Sequence, residues 1–112
     1  MKPEIISLKI SKKSLEPFVI CLVLGTLTAI KDGSLTPDSG IWTFGRPNFW
    51  KHLEETQSVS QQVIEILKSA DELDALNQLA GNTAMIGVID GMISNLKCEL
   101  SKCSDQDWYA EW

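Results

Sequence analysis

The stretch PFVICLVLGTLTAI, Pro17 to Ile30, runs 14 residues without a charge and constrains the rest of the chain more than any other segment. A bilayer-spanning helix needs about 20 such residues, so the run alone is too short to cross. A secretory leader combines a basic start, an apolar run and a small-residue cleavage site. Lys12 and Lys13 supply the first, but Glu16 abuts the run and no A-x-A pattern follows. The expectation is a central core helix of a cytoplasmic protein, apolar all round because other helices surround it. Ser14 is the candidate cap, Pro17 is tolerated in the first turn, and Gly33 is a natural stop.

Such a helix needs partners to bury it, and 112 residues suffice for one domain but not two. Apolar residues at 44% and charged residues at 22% give globular composition rather than disorder. Upstream, Ile6, Leu8 and Ile10 alternate in a strand-like period, so residues 1–13 are read as an extended arm or strand. A helix start at the same place stays open. Downstream, Thr36 can cap a short helix with Pro37 at its first position and Asp38 in its first turn, ending near Gly45. Pro47 can start PNFWKHLEE, which would bury Phe49, Trp50 and Leu53. Ser58 or Ser60 then caps a segment with Val63, Ile64 and Leu67 at helical spacing, a break at Ser69, and Leu73, Leu76 and Leu79 beyond it.

After Gly81 and Asn82, the last helix carries an apolar stripe of Met85, Ile89, Met92 or Ile93, Leu96 and Leu100. Gly87 and Gly91 lie one turn apart on another face, where small residues let a second backbone come close. The sum is a mainly α fold: a compact bundle of four or five helices, with room for one short N-terminal strand, in a single domain spanning 1–112. Residues 104–112 form an acidic aromatic tail.

Charge is unevenly divided. Residues 1–51 hold seven Lys/Arg and four Asp/Glu, whereas residues 52–112 hold three and eleven. The acidic half can steer a basic partner and repel nucleic acid, or serve solubility alone. A nucleic-acid footprint would need more than the thin Lys9, Lys12, Lys13 cluster. No membrane partner is expected.

Chemistry is hard to assemble from these residues. His52 is the single histidine, and FWKHLEE has no nucleophile or glycine elbow beside it. GTLTAIKDG lacks a phosphate-loop pattern, and DGSLTPD lacks the alternating oxygens and closing glutamate of a calcium loop. Cys21, Cys98 and Cys103 make an odd set with no disulfide framework and no zinc spacing. Neither an enzyme, a cofactor nor a metal is expected.

Leu27, Ala29, Ile30, Lys31 and Gly33 form an L-x-A-I-K-x-G turn. Phe44 and Pro47 follow as an aromatic and a proline, and Ser69, Glu72, Leu73 and Asp74 mark a later acidic element. Across roughly residues 20 to 100 this order resembles a family of small bacterial proteins of uncharacterised function. Small acidic members of such families look like immunity proteins of contact-dependent growth inhibition and related polymorphic toxin systems. The resemblance implies that the chain neutralises a cognate toxin domain, commonly a nuclease with a basic surface. On that view Trp108, Tyr109 and Trp112 are anchors within Asp105, Asp107 and Glu111, and Asp71, Glu72, Asp74, Glu54, Glu55 and Glu65 extend the acidic face. The tail has no counterpart in the family pattern, and its aromatics are equally suited to closing the core. A second class of function is a homo-oligomeric scaffold or regulator, with a homodimer built on the close glycines or the N-terminal strand.

Overall fold

The computed structural model describes residue 4 and residues 10–40 and 47–103. Among these the chain is helical, with six helices in order: α1 Lys12–Asp32, α2 Pro37–Gly40, α3 Pro47–Glu55, α4 Gln61–Ala70, α5 Leu73–Ala80 and α6 Asn82–Lys102. The expected strand and the aromatic tail fall mostly or wholly outside the described residues. The sixth helix arises where the foreseen break materialises, two residues later than Ser69. There the Ser69 hydroxyl donates back to the Glu65 carbonyl at 2.9 Å. The Asp71 and Glu72 N–H groups reach only three residues back, to Lys68 and Ser69. This tightened turn ends α4 and redirects the chain into α5.

Local caps explain most of the boundaries. Ser11, not Ser14, precedes α1; the two hydroxyls hydrogen-bond at 3.0 Å and Ser14 is buried within the first turn. At the other end Gly33 is left-handed, with φ 88°, and its N–H donates to Ile30 O. The N–H and hydroxyl of Ser34 both donate to Asp32 Oδ1, at 2.9 and 2.6 Å. Those two bonds hold the exposed Asp32 carboxyl below its usual pKa, the hydroxyl contributing most. Thr36 Oγ1 accepts from Ser39 N–H at 3.2 Å and starts α2. Gly40 ends α2 directly against α1, where any Cβ would collide with Ile30. Helix α3 closes with Gln57 N–H donating to Glu54 O and Ser58 N–H to Leu53 O, which places Gln57 at φ 53°.

The core is the seam between α1, α4 and α6. Val19, Ile20, Val23, Leu27 and Ile30 of α1 meet Met85, Ile89, Met92 and Leu96 of α6, while Val63, Ile64, Leu67 and Ala70 of α4 complete the layer. Phe49 and Trp50 pack half-buried at its edge and Leu53 is buried. Burial of α1 is one-sided, which corrects the expectation of a helix enclosed all round. Cys21, Gly25 and Thr28 are exposed, and Leu22 retains 39% of its surface. With its charged ends α1 reaches 21 residues, long and apolar enough to cross a membrane on length and composition alone. Its burial against α6 and α2 is what a core helix of a globular domain also shows.

Candidate protein-binding groove

Helices α4 and α6 are fastened to each other by a polar contact. Ser60 caps α4 by accepting from Val63 N–H at 3.4 Å, and its hydroxyl donates to Glu99 Oε1 of α6 at 3.2 Å. Lys102 Nζ holds the other carboxylate oxygen at 2.8 Å. That hydrogen bond is the main reason the Glu99 carboxyl sits below its ordinary pKa, with the Lys102 charge and Ser60 assisting against desolvation. Glu99 is 8% exposed, so a charge with little access to water is matched by two donors.

Beyond this clasp the helices leave an open groove of about 660 Å³. Gln62, Glu65, Ile66 and Ser69 of α4 form one wall; Val88, Gly91, Met92, Asn95 and Cys98 of α6 form the other. Sharing Ser69, Val88 and Met92, it continues into a hollow of about 480 Å³ beside α5, walled by Glu72, Leu73, Ala75, Leu76 and Leu79. The floor is apolar. Leu79 is 88% and Val88 42% exposed, so two large aliphatic side chains stand open to solvent at the same feature. Among the described residues the groove's charged lining consists of Glu65, Glu72 and Glu99, with no Lys, Arg or His.

A carboxylate cluster flanks the α4 wall. Lys68 Nζ lies 3.2 Å from Glu54 and 3.8 Å from Glu65, and 5.0 Å above the Trp50 ring. Gln61 Nε2 donates to Glu65 at 2.8 Å and Glu54 at 3.4 Å. One amine between two carboxylates leaves the cluster net negative.

The structure therefore brings Glu54 and Glu65 together and sets Glu72 along the same side of the molecule. Asp71 is exposed at the α4–α5 turn, and Asp74 accepts from Gln78 at 3.0 Å in the first turn of α5, where a negative charge also suits the helix dipole. Glu55 is exposed on α3 outside the cluster. Trp108, Tyr109, Trp112, Asp105, Asp107 and Glu111 lie outside the described residues. The apolar half of the site, Val88, Met92, Leu76 and Leu79, was not singled out as a surface. Its one sequence signal was the Gly87–Gly91 spacing, and a Cβ at either glycine would meet nothing within 4 Å.

His52 is exposed in the last turn of α3, where its backbone carbonyl accepts from the Thr56 hydroxyl at 2.8 Å. Among those residues no three His, Cys, Asp or Glu side chains are grouped to hold a metal ion. Burial, assisted by nearby Glu16, Glu99 and Cys21, pushes the Cys103 thiol pKa up.

No curated protein and no solved structure matches this chain. Residues 10–110 match the model of a family described as protein of unknown function, DUF3969, and the chain belongs to that family.

Proposed function

We propose that this protein is a non-catalytic binding protein whose ligand is a cationic polypeptide. The observation that carries this reading is the open apolar groove along α6, whose charged lining among the described residues is carboxylate. Apolar floors supply affinity, while an unbalanced rim steers an oppositely charged partner and rejects like-charged ones. In the cell we read the partner as a toxin domain with a basic substrate-binding surface, which the chain would occlude as a cytoplasmic immunity protein. The resemblance implies that role, and the acidic groove suits a nuclease because contact with phosphates calls for a basic surface.

The test is recovery of partners by the tagged full-length chain from its own host, followed by assay of what is recovered. The proposal predicts one basic polypeptide in near-equal amount, retained at low salt and shed at high salt. Its growth-inhibiting activity should be blocked by added chain. An acidic partner, or a basic one whose activity is unaffected, would overturn it. Truncation after Cys103 assigns the tail: at least tenfold weaker binding with unchanged melting makes its aromatics part of the interface, and lowered melting with unchanged binding makes them part of the core.

Self-association is the second reading, favoured by the open Gly87 and Gly91 surface beside exposed Val88. Light scattering on the isolated chain decides it, since a monomer at high concentration would remove it.

A further inference from the structure

Resting on that reading, we propose that the groove takes one amphipathic α-helix of the partner, about three turns long, with its Lys or Arg residues on the flank that faces α4 and α5. Length comes from α6: Val88 to Cys98 is ten residues, or about 15 Å at the helical rise. A helix laid over this distance presents apolar side chains at i, i+3 or i+4 and i+7 to Ile66, Val88 and Met92.

The alternative occupant, an extended segment, is disfavoured by the lining. Its backbone N–H and C=O groups would face an apolar floor, and unpaired amides there are costly. The groove has few groups to meet them. Ser69 Oγ already donates to Glu65 O, Glu99 is held by Ser60 and Lys102, and among the described lining residues Gln62 and Asn95 are the amide side chains. No strand edge exists among the described residues for β-addition. A helix carries its own backbone hydrogen bonds and asks nothing of the walls. Gly87 and Gly91 remove side-chain bulk from α6 on successive turns, which lets a second helix axis come close.

Orientation follows from charge. Glu65 and Glu72 lie seven residues apart on the α4/α5 wall, whereas the facing α6 wall offers Gly91, Asn95, Cys98 and a Glu99 that is buried and already held by Ser60 and Lys102. Cations on the bound helix therefore belong on one flank only. The same asymmetry argues against a second copy of this chain, which would bring Glu65 and Glu72 up to their own equivalents.

The experiment is a methyl and amide NMR titration of the full chain with three synthetic peptides. One is an amphipathic Leu/Lys helix with lysines along one flank; the second has the same composition scrambled; the third has Glu in place of Lys. The proposal predicts saturable shifts at Ile66, Val88, Met92 and Leu79 with the first peptide, and binding at least tenfold weaker for the other two. Gly91→Leu, which adds bulk into the groove where the backbone is already helical, should abolish the shifts while the far core signals stay in place. Val88→Ser serves if that variant fails to fold, and should weaken binding likewise. Equal binding of the scrambled peptide would overturn the helical occupant and leave a cationic partner standing. Equal binding of the Leu/Glu peptide would overturn the charge argument and, with it, the cationic reading. Groove signals that move with protein concentration alone would assign the surface to a second copy and overturn the proposal. Retention of a basic host polypeptide without any peptide-induced shift would place its dock elsewhere and overturn it too.

Discussion

Replacing Gly87 and Gly91 together by alanine should make this protein more stable. Both sit inside α6, and a Cβ built at either meets no atom within 4 Å. Steric cost is therefore absent, and what remains is helix propensity, in which glycine trails alanine by about 0.8–1.0 kcal/mol at each position. Two such gains sum to about 2 kcal/mol because neither new methyl touches anything that the other could disturb. For a domain of this size 1 kcal/mol corresponds to about 4 °C, so the melting temperature should rise by about 8 °C. Thermal unfolding followed by circular dichroism, with the urea midpoint as a second measure, reads the effect. An unchanged or lowered midpoint would refute the reasoning, since it would mean that something packs against this face of α6 in the isolated chain. A gain would mean that the fold of the single chain does not use the two glycines. Their steric consequence is then an open surface on α6, which is what a docked helix requires.

Other consequences follow from particular contacts. Ser60→Ala removes a helix cap and a donor to Glu99, at a combined cost of about 2 kcal/mol. A double-mutant cycle with Glu99→Gln should show coupling of at least about 0.5 kcal/mol; additivity would detach α4's cap from α6. Acid should destabilise the protein: Lys102 and Ser60 lower the Glu99 pKa in the fold, so its contribution is present above the usual glutamate range and lost as pH falls through the depressed folded value. Denaturant midpoints measured downward from neutral pH should therefore fall less steeply in Glu99→Gln than in the parent, and parallel slopes would contradict the assignment. Gln57→Gly should stabilise by up to about 1 kcal/mol, because Gln57 holds a left-handed conformation at φ 53° that glycine adopts freely. A lower midpoint in that variant would show that the Gln57 side chain matters more than its backbone.

Helix starts were largely legible because their determinants are local. Thr36 with Pro37, Pro47, and Ser60 each announce the helix that follows within a few residues. The start of α1 was less so: Ser14 was the expected cap, and the fold instead sets Ser11 before the helix and turns Ser14 inward. The exposed strip of α1 could not be read from an uncharged run, because which side of such a helix stays uncovered depends on how many partners arrive. The acidic residues on the α4/α5 wall were found from composition, but their relation to an apolar groove was not. That groove exists only because α4 and α5 fold back along α6, joining residues from about ten to about three dozen positions apart. Met92 illustrates the limit: the helical period allowed either Met92 or Ile93 on the core face, and packing buries Met92 while leaving Ile93 at the margin.

The most direct measurement is the affinity of the recovered partner for the parent chain and for Glu65→Lys/Glu72→Lys, each at low and at raised salt. The account predicts at least tenfold weaker binding of the doubly reversed chain at low ionic strength, with the gap narrowing as the Debye length contracts below about 10 Å. Equal affinity for the two chains at low salt, or tighter binding by the reversed one, would contradict a cationic ligand in this groove.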